Sequence, residues 1–385
     1  MGDRVVPIKK IPGVYIDEIS LAGRSIEGVS LSDAVFVGEC STGGERPPTP
    51  VASIDEFEAM FGPTADERRS RGSGLMARSV RGYFDNGGQK AWIVGVANRN
   101  RRTDERVWQA LDNAEGAGTV CLPGSPWIEA EKAHIQGWLD FVERAKRWML
   151  IIDPPPGVEL KFADDVQALD LPASMYAVTY YPWVRVRREG HSRETILVPP
   201  SGHAAGVWTR TDETRGVWKA PVGLEVGLIG FSGLEFEVND STQDVLNPLG
   251  INALREMPGG GLVIWGARTL AAASDAEWKY VSIRRFTNYV EHSIETGLRW
   301  VVFEPNGEAL WGAIKKSVES FLFEHFRQGA LQGTKSSDAF FVKCDSTTTT
   351  PDEISNGVIN LVVGLALLKP AEFIPLRIGL RAARD

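Results

Sequence analysis

Along the chain, short unbroken apolar runs alternate with stretches in which apolar residues recur every three or four positions, the pattern of strands interleaved with amphipathic helices. Ala34-Val35-Phe36-Val37-Gly38 predicts a buried strand. Ser53 followed three residues later by Glu56 has the spacing of a capping box, so a helix carrying Phe57, Met60 and Phe61 is expected to start there. A second helix over about 74–84 ends at Asn86-Gly87-Gly88, and residues 91–96 read as the strand that follows. The alternation then continues with a helical pattern from about Asp104, a strand over 120–122, a long helix over 127–147 and a strand over 148–152. Residues 178–186 are a further strand candidate, and the 199–206 segment opens a helix whose Trp208 faces inward. Such alternation implies an α/β unit with at least partly parallel strands.

In the second half, Gly259-Gly260-Gly261 reads as a tight turn before a strand over 262–265. Residues 277–283 predict a strand leading into a helix over 286–297, and 299–306 predict another strand and turn. Residues 308–327 place Leu310, Ile314, Val318, Phe321, Leu322 and His325 on or near one face, an amphipathic helix. A strand is expected over 339–344 and a turn over 347–351. The apolar run 357–368, interrupted by Asn360, reads as a buried strand or helix and is too short to span a bilayer.

Two short strands stand alone at the ends. Val14-Tyr15-Ile16-Asp17-Glu18-Ile19 follows Pro12-Gly13, and the 373–380 segment alternates Ile374, Leu376, Ile378 and Leu380 on one face. Pro375 cannot donate to a ladder, which confines that strand to an edge or a one-sided pairing. An isolated terminal strand cannot bury itself and needs a partner sheet, either of its own subunit or of another.

At 385 residues the chain exceeds what one core usually organises, so two domains are expected. Apolar residues at 43% and charged residues at 24% fit an ordinary globular protein. Twelve Trp favour large buried or inter-subunit contacts. A formal net charge of −8 argues against a general nucleic-acid binder. Cys40, Cys121 and Cys344 are odd in number and far apart, the usage of a reduced compartment, and the N-terminal residues lack the apolar core of a signal peptide.

Candidate chemistry is sparse. Ser201 with His203, or with a carboxylate such as Asp212, suggests a hydrolase, but Ser and His two residues apart on a strand point to opposite sides and no Gly-x-Ser-x-Gly elbow is present; Ser201 also suits a helix cap. The triple glycine lacks the Gly-Lys-Ser/Thr ending of a phosphate loop. His134, His191, His203, His292 and His325 show no metal-ligand spacing, so no metal and no cofactor are expected. Asp153, at the end of an apolar strand and before three prolines, fits either a ligand-binding carboxylate or a rigid turn.

Six ordered blocks, Pro12 to Tyr15, Asn86-Gly87-Gly88, Leu246 to Asn252, Trp265 to Leu270, Glu304-Pro305-Asn306 and Lys369 to Phe373, resemble the contractile tail sheath proteins of phages, tailocins and extracellular contractile injection systems, over about two thirds of the chain. The run containing Asn247-Pro248-Leu249-Gly250-Ile251-Asn252, Arg268 and Trp278-Lys279-Tyr280-Val281 carries the likeness most strongly. The resemblance implies a mixed α/β fold: a terminal arm over 1–30, a sheath core from 31–97 and 216–368, an inserted outer domain over 98–215, and a second arm over 369–385. It implies a non-enzymatic subunit that polymerises as stacked hexameric rings around an inner tube and contracts to drive that tube into a target. The partners it implies are further copies of itself, the tube protein, and baseplate and cap or terminator proteins, with neither nucleic acid nor membrane insertion. Assembly in the bacterial cytoplasm and release by lysis go with it. The alternatives are a non-contractile, baseplate-proximal paralogue acting as a static adaptor and, third, an α/β enzyme.

In that family, terminal arms add strands to neighbouring subunits. The resemblance therefore implies Val14, Tyr15, Ile16, Asp17 and Glu18, and Phe373, Ile374, Leu376, Arg377 and Ile378, as the exchanged strands, the alternative being strands that complete the subunit's own sheet. For the tube, Lys316, Ser320 and Arg327 lie along one helix face, since residues eleven apart return to nearly the same direction. The alternative is an ordinary solvated face with Lys315 and Glu319 paired.

Overall fold

A computed structural model describes residues 24–40, 47–62, 71–96, 105–188, 194–259 and 261–372. The elements run β1 Asp33–Glu39, β2 Thr49–Val51, α1 Ile54–Phe61, α2 Arg71–Asp85, β3 Ala91–Val96, α3 Glu105–Leu111, β4 Ala117–Cys121, α4 Glu129–Ala145 and β5 Met149–Ile152. Next come α5 Ala163–Ala168, β6 Ala177–Tyr181, β7 Val184–Arg187, β8 Thr195–Val198, α6 Ser201–Arg215, β9 Gly233–Leu234, α7 Asp240–Leu246, β10 Ile251–Met257 and β11 Gly261–Trp265. The chain continues with α8 Val281–Gly297, α9 Glu308–Arg327, α10 Ser336–Ala339, β12 Phe340–Lys343, α11 Pro351–Ser355 and β13 Val362–Leu365.

One eight-stranded sheet, in the order β11-β10-β6-β5-β4-β1-β3-β2, organises most of the molecule. Its six central strands are parallel, and β2 and β11 flank them antiparallel. Helices cover both faces, which is why β1, β4, β5 and β6 are near-continuous apolar runs rather than alternating ones. Both edges are blunted. Pro50 sits in three-residue β2, and residues 223–228 lie along β11, with Leu228 N donating to Leu262 O at 2.8 Å.

Ser53 caps α1 as expected, its side chain accepting from Glu56 N at 3.1 Å while Glu56 accepts from Ala52 N at 2.7 Å. The Asn-Gly-Gly turn has a long-range purpose. Fully buried Asn86 donates to Ile229 O at 3.0 Å and accepts from Ile229 N at 2.9 Å, pinning a loop 143 residues away. At Gly88 a Cβ would fall 2.1 Å from the Tyr83 ring.

Several expectations are corrected. The expected strand over 178–186 is two strands in different sheets, β6 in the large one and β7 beside β8 and β9, parted at Pro182, which has no N–H to continue a ladder. The segment 277–283 is not a strand. Helix α8 starts at Val281, and residues 281–288 are buried all round, so the local apolar pattern could not separate helix from strand. Residues 299–306 form a short 3-10 turn over Arg299–Val301, then a loop exposing Val302 and Phe303. The run 357–368 holds β13, which is half-exposed rather than buried. The 98–215 segment, expected as an inserted unit, supplies β4, β5 and β6 to the middle of the large sheet, between strands from the segments on either side of it.

Candidate assembly interface

The C-terminal region carries a different architecture. Strands β12 and β13 form a two-stranded antiparallel sheet, with Val342 opposite Val363. Its inner side rests on α8 and α9 through a cluster that includes Val342, Phe286, Val290, Val318, Phe321 and Leu322. Its outer side leaves Phe341 51% and Val362 44% exposed. Among the described residues each of these strands has one strand partner, so one edge of each is left without a strand. A two-stranded sheet is marginal on its own. This pair was legible in sequence only as an isolated strand and an apolar run.

The roots of both arms lie near this region. On the N-terminal side Ile26 is buried in the same cluster, Val29 N donates to Ser293 Oγ at 3.1 Å, and the Arg24 guanidinium lies 5.6 Å from the centre of the Trp300 ring. Ser32 Oγ then donates to Asp212 Oδ2 at 2.9 Å. Asp212 in turn binds buried Arg285 through two hydrogen bonds, and Arg285 lies 4.5 Å from the centre of the Trp208 ring. The linker, α6 and α8 are thereby tied together.

On the C-terminal side the last described residue, Glu372, accepts from Arg268 Nε at 2.9 Å, Arg268 Nη2 at 2.6 Å, Tyr280 Oη at 3.0 Å and Lys279 Nζ at 3.3 Å. Burial alone would raise the Glu372 carboxyl, but the hydrogen bonds and charge of Arg268, with Tyr280 and Lys279, outweigh it and hold the group below its ordinary value. Burial, then Glu372 itself, pushes the Tyr280 hydroxyl up. The sequence blocks contained Arg268 and Glu372, and the run through Val281 contained Lys279 and Tyr280, but nothing in them signalled that they meet, since Glu372 is 104 residues from Arg268. The expected exchange strands, Val14 to Glu18 and Phe373 to Ile378, lie outside the described residues.

Helix α9 turns Leu310, Ile314, Val318, Phe321, Leu322 and His325 inward, as its pattern predicts. Lys316, Ser320 and Arg327 share the exposed side with Gly312 and Phe323, which is 45% exposed. Arg327 sits 3.5 Å from Glu324 and Lys315 3.9 Å from Glu319, both on the surface, while Lys316 makes no ion pair among the described residues.

The catalytic candidates are structural. Asp153, at the end of β5, caps α6: it accepts from Ser201 N at 3.0 Å and from Ser201 Oγ at 2.7 Å. Ser201 is therefore the capped residue rather than the cap. The N-terminus of α6, which could hold an anion, is filled by this carboxylate. Burial pushes the Asp153 carboxyl up to about 7 and the His203 imidazole down to about 4. His203 is 1% exposed and packs against Gly82 of α2, not against Ser201 chemistry. No group of three or more potential metal ligands occurs among the described residues.

Two family models match the chain, the phage tail sheath protein central domain over residues 102–270 and the phage tail sheath C-terminal domain over 273–381. A chain from the contracted sheath complex of PVC, an extracellular contractile injection system, is 28% identical with a TM-score of 0.79, covering 97% of this chain and 98% of that one. A chain of the anti-feeding prophage baseplate is 28% identical with a TM-score of 0.74, covering 97% and 100%. The tail sheath protein of Vibrio phage KVP40 is 27% identical over 178 residues, 46% of this chain, and that span is 25% of the phage protein's length.

Proposed function

This chain belongs to the phage tail sheath family, and from that premise we propose that it is a structural, non-enzymatic subunit of a contractile sheath, polymerising as stacked hexameric rings around an inner tube and contracting to drive the tube outward. The observation that carries the proposal is the two-stranded sheet β12–β13, each strand with one strand partner among the described residues, beside the anchored roots of two arms. Strands donated by neighbours, Val14–Glu18 from one copy and Phe373–Ile378 from another, complete that sheet by main-chain hydrogen bonding. Rigid subunits can then rotate while the strand links keep the lattice joined. No nucleotide is required, because the extended and contracted lattices differ in contact free energy.

The particle is an extracellular injection system, a reading supported by the near-complete mutual structural coverage with the PVC chain. Assembly takes place in the bacterial cytoplasm, with release by lysis. Baseplate and cap proteins close the two ends. A static adaptor at the baseplate is the second reading, favoured by the likeness to a chain of the anti-feeding prophage baseplate.

Lys316, Ser320 and Arg327 form the tube-facing side of α9, where exposed polar contacts hold the tube yet release it. Electron microscopy of the full chain, alone and co-expressed with its tube protein, tests the whole reading: striated or wide hollow cylinders are expected, and dispersed monomers in both preparations would exclude a sheath. Cylinders of one fixed length and diameter under contracting conditions would favour the static adaptor. Replacing both Lys316 and Arg327 by Glu is expected to abolish sheath on tubes with the fold intact; unchanged co-assembly would remove these residues from the tube contact.

A further inference from the structure

We propose that the buried charge cluster at Glu372 is a tension-carrying joint, locking the C-terminal arm to strands β10 and β6 of the eight-stranded sheet so that tension on residues beyond 372 is carried into the subunit core. The proposal rests on the strand-exchange reading above. Its basis is a continuous path of short polar contacts. Glu372 is gripped by Arg268 through two parallel bonds and by Tyr280 and Lys279. Arg268 is itself held at side chain and backbone: Nη1 donates to Asn247 O at 2.8 Å, its N donates to Asn252 Oδ1 at 2.7 Å, and its O accepts from Asn252 Nδ2 at 2.8 Å. The same Asn252 amide donates to Thr179 O at 3.1 Å, on strand β6. Thus the arm root, the turn after β11, strand β10 and strand β6 are joined in series, and the pull is delivered to a parallel sheet buried on both faces.

The fold makes room for this path. At Gly266 a Cβ would lie 2.9 Å from Asn252 Oδ1, and at Gly250, with φ +81°, it would lie 2.6 Å from Thr269 O. A side chain at either position would push Asn252 or the Arg268 turn out of register. The Arg268 side chain is 6% exposed and that of Glu372 16%, so withdrawing the carboxylate strands a buried guanidinium without a counter-charge. A bidentate pair shielded from solvent is stronger and more directional than a screened surface pair. The N-terminal root differs. It meets α8 through a neutral Val29–Ser293 hydrogen bond and the apolar packing of Ile26, and it reaches the buried Asp212–Arg285 pair through the neutral Ser32 hydroxyl, contacts that suit a segment that turns as the lattice rearranges.

The test uses the full chain co-expressed with its tube protein, as wild type, E372Q, R268Q, E372D and a truncation lacking residues 373–385. Polymer is measured by sedimentation and electron microscopy, and the melting temperature is read on dispersed subunits. E372Q and R268Q are expected to lower sedimentable polymer by about tenfold or more, because each removes one charged partner from a buried pair. In dispersed subunits no tension holds the arm root in place, so it can lift and let water reach the unpaired charge; these subunits are expected to melt close to the wild type, and E372D, which keeps the charge, should recover part of the polymer. Wild-type polymer levels in E372Q and R268Q would overturn the joint. So would a fall in subunit melting temperature that tracks the loss of polymer, since the cluster would then serve the subunit's own stability. If the truncated chain still polymerises, C-terminal strand exchange fails and the joint with it; if truncation abolishes polymer while E372Q does not, the joint alone fails.

Discussion

The large and small sheets solve the problem of strand edges in opposite ways. In the eight-stranded sheet every strand between the two edges is paired on both sides, helices bury both faces, and the edges are short or covered. In β12–β13 one face is packed on α8 and α9, the other exposes Phe341 and Val362, and the outward edges are left without a strand among the described residues. The first sheet is complete within one chain. The second has the form of an interface half, and the difference separates what stabilises the subunit from what joins subunits.

The sharpest way to break this contrast is to damage each sheet in turn. Trp208→Ala removes a fully buried side chain that donates to Tyr180 Oη at 2.7 Å and stacks under Arg285, and should cost about 3–5 kcal/mol in denaturant unfolding of the whole subunit. A loss below about 1 kcal/mol would show that the large sheet does not set subunit stability.

Titration probes the same interior. The folded Asp153 carboxyl takes up its proton near pH 7 and the unfolded one near 3.8, so this group favours folding in acid and loses that advantage as pH rises through 7. His203 does the reverse: buried neutral with a value of about 4, against 6.5 unfolded, it disfavours folding as pH falls below 6.5. The two effects oppose each other. His203→Gln should remove the imidazole's penalty in acid, improving stability at pH 5 relative to pH 8 by about 2 kcal/mol more than in wild type, as measured by urea unfolding at both values. An unchanged pH profile would refute the neutral buried imidazole.

Smaller effects belong to the small sheet. Val342→Ala, in the packed face, should cost roughly 1.5 kcal/mol and appear as faster hydrogen exchange in β12 and β13 with the large sheet still protected. Uniform acceleration across both sheets would mean that they unfold as one unit. Phe341→Ala, on the exposed face, should change subunit stability by about 0.5 kcal/mol or less yet reduce polymer in sedimentation. Unaltered polymer would take that face out of the interface.

Much of the large sheet was legible beforehand because its signals are local. Continuous apolar runs located β1, β3 and β5, the Ser53–Glu56 spacing located α1, and the periodic face of α9 was read with its buried residues correct. Where the signal was an apolar run without a periodic partner, as at 277–283 and 299–306, the expectation failed, since such runs fit a strand, a buried helix start or an exposed loop equally well. The exposed face shared by Lys316, Ser320 and Arg327 followed from helical geometry alone.

By itself, then, the sequence determined the alternating α/β character, the orientation of α9, the missing metal-ligand and phosphate-loop spacings, and a likeness to sheath proteins carried by six ordered blocks. The tertiary structure alone decided that residues 98–215 supply the middle of one continuous sheet, that Asp153 caps the helix Ser201 begins, and that Glu372 meets Arg268, Lys279 and Tyr280. The physical reason is range. Burial periodicity and capping act over a few residues and are written in the local order of side chains, whereas strand order and buried ion clusters depend on which distant segments share a neighbour, and that is fixed only when the whole chain packs.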